Sequence, residues 1–486
     1  MNYGLALFGA LILFVISTSN WRRSVKVALV LVVIEGAVRK WVLPQASDLV
    51  YFLKDVVLLG AYARYFIIEQ KSKRVLGARE MKALLWIAMA FIGFQVFNTR
   101  LASVPVGLFG FKAYLLYVPL CFMLRDLFHS SEELQSFLKW YLLLVIPVGA
   151  LGALQFFSPP DSPINTYVVG EEGGIATFGG SDEIERARIT GTFSYISGYT
   201  AYLTVCQALL FSMLVVKLNK VWMAILMGGQ ALLMGNMLMT GSRGPVFSGL
   251  IVFAGFLLFN QLARSRDVRK ALIMLLLTGA VCVVASMYWF DEALDAFWQR
   301  VTTSDSASER MTSSFLEPLE FLSDPEVFGY GAGATHPGGT GVRVRLGLPD
   351  APVAPPEAEN ETVRVMLELG IFGFLVWYAI KFYLILALWR TRVKVRTPLL
   401  KNLALAAFLV HAILFTGTTV LNHTAHVYFW FMAGFIFLLP HLDSIVAHGS
   451  PANDVDTKSN AHLPKTVRSI PEFGLQTVHS LKHKRH

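Results

Sequence analysis

Apolar runs of membrane-spanning length recur from one end of this chain to the other, and they constrain its fold more than any other feature. Of the 486 residues, 55% are hydrophobic and 15% are charged. Soluble domains average about 25% charged residues. A backbone that crosses lipid must satisfy its polar groups internally, which favours helices. We therefore predict an all-α, polytopic integral membrane protein.

The hydropathy pattern predicts about 13 transmembrane helices. They are placed at residues 3–19, 24–42, 48–68, 82–98, 107–124, 137–157, 195–216, 221–239, 245–260, 270–290, 362–389, 400–417 and 425–443. Lys and Arg gather in the segments that follow every odd-numbered span up to the eleventh. The positive-inside rule then predicts one consistent topology, with an external amino terminus and an internal carboxyl terminus.

This topology divides the chain into a transmembrane domain, residues 1–443, and a basic cytoplasmic tail, residues 444–486, that we expect to be disordered. Two long external loops, residues 158–194 and 291–360, are polar and rich in Gly. Loops of that length in a compact protein are usually functional or disordered. A periodic stretch at residues 308–322 predicts a helix lying on the membrane surface.

The second long loop also carries the run FGYGAG, with Gly329, Gly331 and Gly333 at alternate positions. Glycine allows backbone to approach a ligand closely, but the run is equally compatible with a flexible connector. It is not a dinucleotide-binding motif, because no strand precedes it.

The net charge of +9 does not indicate a nucleic-acid-binding protein. The cations lie in short clusters between apolar runs, as in loops held on the cytoplasmic side. Cys121, Cys206 and Cys282 lie inside apolar runs without metal-ligand spacing. They are interpreted as small core residues, and no metal site or cofactor is predicted.

Charged residues cluster where the second long loop enters an apolar helix, in the stretch AENETVRVMLELG. Glu359, Glu361, Arg364 and Glu368 fall within ten positions. Ionisable groups at bilayer depth are costly and commonly mark a substrate path. The alternative is that Glu361, Arg364 and Glu368 neutralise one another on one helix face, at i,i+3 and i,i+4 spacings.

Several cations on the predicted outer side break the positive-inside pattern, and four of them are candidates for binding an anion. They are Arg39, Lys40, Arg188 and Arg243. Arg39 could instead form an i,i+4 pair with Glu35. Guanidinium groups at an apolar outer surface fit a lipid-linked phosphate or diphosphate, whose oxygens they bind in pairs.

His423 and His426 begin the last predicted span. A hydrogen-bonding pair near the substrate groove is favoured over a metal site, because the sequence places no acidic partner beside them.

The order of motifs is R-x-x-G-T-F, T-x-S-R-G, FGYGAG, and then a polar pair followed after nine residues by G-x-x-G. This order resembles the O-antigen ligase and Wzy-type polysaccharide polymerase superfamily, over roughly residues 80–440. The resemblance implies a GT-C-type glycosyltransferase architecture, an undecaprenyl-diphosphate-linked oligosaccharide donor and a metal-independent, inverting reaction. It also implies that Arg188 and Arg243 hold the donor diphosphate.

The family's His-Asn pair falls on Glu359 and Asn360, so this chain has Glu where the ligases have His. The resemblance thus makes Glu359 a catalytic candidate beside Arg188 and Arg243. Further candidates for substrate binding are Arg39, Lys40, Asn360, Glu361, Arg364 and His423. Two features favour a repeat-unit polymerase in the bacterial inner membrane. The His is absent, and the EGAVRKW segment resembles that of the superfamily members that act in exopolysaccharide synthesis.

Two alternatives stay open on the sequence. A ligase would transfer the glycan to lipid A or protein. A flippase or transporter would use buried charges without chemistry. Membrane lipids and a chain-length regulator are candidate partners.

Overall fold

The computed structural model describes residues 3–71, 79–168, 176–178, 186–214, 218–261, 307–320 and 328–449. Most of these residues (78%) are helical, and strands are almost absent from them. The helices are α1 Tyr3–Ser19, α2 Trp21–Ala37, α3 Ser47–Tyr51, α4 Leu53–Tyr62, α5 Arg79–Gln95, α6 Val104–Leu115, α7 Val118–Leu127, α8 Ser131–Leu143, α9 Val145–Phe157, α10 Ile196–Leu214, α11 Lys220–Met239, α12 Arg243–Gln261, α13 Ala307–Glu320, α14 Pro337–Leu346, α15 Glu361–Lys394, α16 Pro398–Ile413, α17 His423–Ala433 and α18 Phe435–Gly449. Two short antiparallel strands, β1 Thr177–Phe178 and β2 Arg186–Ala187, form one hairpin-like pair.

Helical stretches within the described residues are long and apolar enough to cross a membrane. There are five, Val104–Leu127, Ser131–Phe157, Lys220–Met239, Glu361–Lys394 and His423–Ala447. The prediction of a helical protein with membrane-spanning helices is therefore confirmed. The total of about 13 spans stays a prediction, and the span predicted at residues 270–290 and most of the tail lie outside the described residues.

Two helices are buried on almost every face, α10 and α17. A helix that is apolar all round belongs in the centre of a bundle. Both begin at polar segments: α10 directly follows residues 186–195, and α17 begins at His423. The central helices therefore bring these two segments to the same end of the bundle, and Asn422 Nδ2 donates to the Ser197 carbonyl across 2.8 Å.

Polar contacts between loops fall into two groups that match the predicted sides. Loops predicted to be internal contact one another through Trp21 and Glu69 (3.2 Å), Lys26 and Glu133 (2.8 Å), and Thr397 and Asp443 (2.9 Å). Loops predicted to be external contact one another through Arg39 and Ser194 (2.9 Å), Asn98 and Gly329 (3.0 Å), and Arg345 and Asp48 (2.5 Å). The loops thus separate onto two ends of the bundle, as a membrane protein requires.

α15 is broken at Gly370, which has φ 67° and ψ −176°. Glu361 and Lys381 are 3.3 Å apart, although 20 residues of unbroken helix would separate them by about 30 Å. Residues 361–369 therefore fold back along residues 371–381. This half-helix carries the charged cluster into the bundle from the predicted outer end.

The FGYGAG loop holds the break in place. Tyr330 and Gly331 donate backbone N–H groups to the carbonyls of Leu367 (2.7 Å) and Glu368 (3.1 Å), which the interrupted helix leaves without partners. Gly329, Gly331 and Gly333 all have positive φ. In the structure these glycines allow the loop to approach protein backbone, rather than serving as a flexible connector.

Replacing Gly370 by Ala is expected to destabilise the protein. Its backbone conformation is essentially restricted to Gly, so a Cβ there costs roughly 1–3 kcal/mol or more. The measurement is thermal unfolding of the detergent-solubilised protein. Gly228→Ala is the matched control, because a Cβ at that helical position meets nothing within 4 Å. Equal unfolding temperatures for Gly370→Ala and Gly228→Ala would contradict the role of Gly370 in the break of α15.

Candidate functional site

Residues 188–194, which carry the R-x-x-G-T-F motif, lie across α2 as irregular chain with a turn at Thr190–Phe193, where the Phe193 N–H donates to the Thr190 carbonyl (2.9 Å). The Thr192 hydroxyl donates to the Val33 carbonyl (2.5 Å), and Gly36 leaves the room in which this segment lies. Gln155 Oε1 accepts the backbone N–H of Gly191 (2.7 Å). The segment is therefore fixed to two helices, and its side chains have defined positions.

Arg188 joins this segment to the turn between α11 and α12. Its Nε donates to the Thr240 carbonyl (3.1 Å) and its Nη2 to the Ser242 hydroxyl (2.5 Å). The turn is made by Gly241, with φ 62°, and Arg243 follows as the first residue of α12. The structure thus brings Arg188 beside the turn that carries Arg243.

Arg39 and Lys40 contact the same segment from the end of α2, in a π-helical turn. Arg39 donates to the hydroxyls of Ser47 (3.0 Å) and Ser194 (2.9 Å). Lys40 Nζ donates to the Thr190 hydroxyl (3.0 Å). Both side chains are buried, and the acceptors of these bonds are neutral oxygens. We call Arg39, Lys40, Arg188 and Arg243 the cationic cluster.

The proposed pairing of Arg39 with Glu35 is not what the structure has. Glu35 instead binds Lys54 at 2.7 Å, and both side chains are buried. Lys54, rather than Arg39, pairs with Glu35 because it reaches the carboxylate from the neighbouring α4. Arg39 is thereby left for Ser194 of the R-x-x-G-T-F segment.

Tyr51 connects the cationic cluster to His423. The Arg39 guanidinium lies 5.0 Å from the Tyr51 ring, and Lys54 and Lys112 lie at 4.6 and 4.7 Å. The Tyr51 hydroxyl shares a hydrogen bond with His423 Nδ1. His423 therefore makes a hydrogen bond beside the cluster, and His426 separately accepts one from Trp430 Nε1 (2.6 Å).

His336 lies in the second long loop, as the N-cap of α14. Its Nδ1 accepts the Gly338 N–H (3.0 Å), and its ring centroid is 5.5 Å from that of His423. Burial lowers the pKa of His336 to about 4; Lys112 and Arg364 add to this, and a backbone bond to Val420 opposes it. The imidazole is therefore neutral at physiological pH.

This depressed pKa makes stability depend on pH. Between pH 6.5 and about 4 the unfolded chain binds a proton at His336 that the folded chain does not, so stability falls as pH falls through this window. His336→Asn retains an N-cap acceptor but cannot titrate. We expect it to lose less thermal stability than the wild type between pH 7.5 and 5. An identical loss in both proteins would contradict this assignment.

The charges of the AENETVRVMLELG stretch do not neutralise one another. Glu361 is fully buried; it pairs with Lys381 and accepts the backbone N–H groups of Thr419 (2.5 Å) and Val420 (2.8 Å). Glu368 accepts from the Tyr114 hydroxyl (2.8 Å). The hypothesis of mutual neutralisation is wrong, because the break at residue 370 and the folded loops supply other partners.

Arg364 binds two loop carbonyls, those of Ala358 (2.7 Å) and Thr335 (2.8 Å). It therefore fixes the chain just before Glu359, which is exposed. Asn360 donates to Glu317 Oε2 of α13 (2.6 Å). Glu359 thus lies in a loop held by Arg364 on one side and by α13 on the other.

A continuous chain of contacts connects the cationic cluster with the loop of Glu359. Its steps are Ser194 to Arg39, Arg39 to Tyr51, Tyr51 to His423, His423 to His336, and Thr335 through Arg364 to Ala358. These contacts connect the segment of Arg188 with Arg39, His423 and Arg364. Glu359 and Arg243 themselves have no direct contact among those described.

Sequence reasoning did not single out Lys112, Tyr114 or Lys381. Lys112 pairs with Asp55 at 2.8 Å, and Lys381 with Glu361. A lone Lys inside an apolar run, as in GLFGFKAYL and WYAIKFYL, was the available signal, since such a charge needs a buried partner.

The fold and these clusters define a helical integral membrane protein with a cation-rich site where its polar loops meet. Residues 228–378 match the family model described as O-Antigen ligase, which confirms the resemblance to the O-antigen ligase and Wzy superfamily. The matched stretch includes Arg243, the FGYGAG loop and Glu359, whereas Arg39, Lys40 and Arg188 precede it. No match was found among curated proteins.

Proposed function

We propose that this protein is an inverting glycosyltransferase that polymerises undecaprenyl-diphosphate-linked oligosaccharide repeat units at the outer face of the bacterial inner membrane. The observation that carries the proposal is the junction of Arg188 with the turn of Arg243, on the segment that Arg39 and Lys40 also bind. Members of the matched family are glycosyltransferase-like enzymes that act on lipid-linked glycans.

The cationic cluster would hold the donor diphosphate. A departing diphosphate develops negative charge as its bond to the anomeric carbon breaks, and fixed cations placed beforehand lower that barrier. Arginine suits this task because its planar fork binds two oxygens and stays charged at any working pH. Arg188 and Arg243 would contact the phosphates, and Arg39 and Lys40 would add positive potential from beneath the R-x-x-G-T-F segment.

Glu359 would serve the acceptor. An acceptor hydroxyl attacks the anomeric carbon from the face opposite the diphosphate, the new glycosidic bond forms as the sugar–phosphate bond breaks, and the hydroxyl proton passes to the Glu359 carboxylate. One displacement inverts the anomeric configuration. Asn360 and Arg364 would hold the loop so that the carboxylate and the hydroxyl meet in a productive geometry.

Glu361 and His423 take supporting roles in this proposal. Glu361 is closed off by Lys381 and by the 419–421 backbone, so it would position the loop that leads to His423. His423, bonded to Tyr51, would line the acceptor side next to the cationic cluster.

The second candidate function is a ligase that transfers the finished glycan to lipid A or protein. It is favoured by the description of the matched family as O-Antigen ligase. The Glu at position 359, where ligases carry His, favours the polymerase.

Deletion of the gene separates these two enzymes, because each leaves a different lipid-linked intermediate. A polymerase mutant accumulates single repeat units on the lipid carrier, whereas a ligase mutant accumulates long lipid-linked chains. Complementation with the wild-type gene must restore the product. Accumulation of long chains would overturn the polymerase proposal.

Purified protein tests the transporter alternative. Incubation with a synthetic lipid-diphosphate repeat unit in detergent, without any membrane to cross, is expected to release lipid diphosphate and to form dimers of the repeat unit. Movement of substrate across vesicles with no new glycosidic bond would contradict both enzyme proposals.

A further inference from the structure

A groove of about 590 Å³ lies between α2 and α8, at the end of the bundle opposite the cationic cluster. Its lining residues share one pattern, polar at one end and apolar along the rest. Arg22, Arg23 and Lys26 lie at the polar end, and Val27, Val30 and Ile34 line the apolar part. The residues of the proposed reaction take no part in it.

Three cations surround the polar end of this groove. Lys26 Nζ is 2.8 Å from Glu133, so its charge is balanced. Arg22 uses its Nε on the Asp126 carbonyl (2.7 Å), which is neutral. Arg23 is exposed, and its side chain has no polar partner in the described part of the chain. The mouth therefore keeps the positive charge of two guanidinium groups.

The apolar wall runs along α2 away from this mouth. Val27 is 42% exposed and Ile34 is 38% exposed, so the wall is open rather than packed against protein. From Arg23 to Ile34 the helix rises about 17 Å. That is close to half of the roughly 30 Å hydrocarbon core of a bilayer, the depth of one leaflet.

We propose that this groove binds one anionic glycerophospholipid, with its phosphate at Arg22 and Arg23 and one acyl chain along Val27, Val30 and Ile34. The positive-inside rule assigns the mouth to the cytoplasmic side, where anionic lipids attract basic segments next to membrane helices. A zwitterionic lipid such as phosphatidylcholine would fill the wall, but its ammonium group offsets the charge of its phosphate, so the guanidinium groups attract it less strongly. Inorganic phosphate would satisfy the arginines but leave the wall empty.

The test is native mass spectrometry of the purified full-length protein in detergent, titrated with phosphatidylglycerol. Wild-type protein is expected to bind one molecule more tightly than phosphatidylcholine of the same acyl chains. Arg22→Gln with Arg23→Gln is expected to weaken phosphatidylglycerol binding by about 25-fold, since each cation near an anionic lipid contributes roughly fivefold. Val30→Trp, which fills the wall without a change of charge, is expected to weaken it as well.

The matched control is Arg390→Gln with Lys394→Gln, which removes two charges from exposed positions at the corresponding end of α15. It is expected to bind as the wild type does. If the double variant in the groove does not fold, Arg23→Gln alone changes an exposed side chain and should weaken binding about fivefold. Equal affinity for the two lipids, unchanged affinity in the groove variants, an equal loss in the control, or equally strong competition by glycerol 3-phosphate would each overturn the proposal.

Discussion

Replacing Arg243 by Ala is expected to reduce glycan transfer by about 100-fold or more, because loss of one preorganised group that stabilises developing charge costs a factor of about 10²–10³. Arg243 begins α12 directly after the turn that Arg188 binds. Its removal takes away a charge, while the hydrogen bonds of Arg188 to Thr240 and Ser242 remain. The measurement is release of lipid diphosphate by purified protein.

Arg243→Lys refines this prediction. Lys keeps the charge but not the planar fork, so a diphosphate bound through two oxygens should lose most of its stabilisation. We expect Arg243→Lys to have an intermediate rate.

Arg186→Gln supplies the matched control for Arg243→Ala. Arg186 lies in β2, two residues before Arg188, and its guanidinium rests 5.6 Å from the Phe156 ring. This variant should insert and react normally. Full activity in Arg243→Ala at normal expression, or an equal loss in Arg186→Gln, would argue against the role of Arg243.

The helices could be predicted well because an apolar run and its basic flanks are local features of the sequence. The first predicted span, residues 3–19, coincides with α1 Tyr3–Ser19. The break at Gly370 could not be predicted in the same way. Gly370 lies inside one continuous apolar run. The donors to the carbonyls of Leu367 and Glu368, which support the break, come from a loop some 40 residues away.

The cations of the site could be predicted from the sequence because they contradict the positive-inside rule, which depends only on local sequence. Their partners were not visible. Nothing in the sequence chooses between Arg39 and Lys54 as the partner of Glu35, since the choice depends on how α4 packs on α2. The same holds for Glu361. It pairs with Lys381 rather than with its i,i+3 neighbour Arg364, because the chain folds back and brings Lys381 close.

Glu361 and Glu359 are expected to fail in different ways when each is replaced by Gln. Glu361→Gln leaves Lys381 buried without its counter-charge, and removal of one member of a buried pair costs roughly 3–5 kcal/mol. The expected result is a large loss in the free energy of unfolding, measured by denaturant titration in bicelles. Glu359 is exposed, so Glu359→Gln should change that free energy by no more than about 0.5 kcal/mol.

The catalytic rate should distinguish the two carboxylates in the opposite order: Glu359→Gln, which keeps its stability, is expected to lose its activity. Loss of a general base lowers the rate by about 10²–10⁴, so Glu359→Gln should be a stable but slow enzyme. Adding Lys381→Met to Glu361→Gln removes the orphaned charge and should restore part of the stability. Normal turnover by Glu359→Gln, together with a stable but inactive Glu361→Gln, would move the functional carboxylate to Glu361. The ion pair with Lys381 would then be a feature of the resting enzyme that substrate must open, because Glu361 can accept a proton only after it leaves the backbone N–H groups that now enclose it.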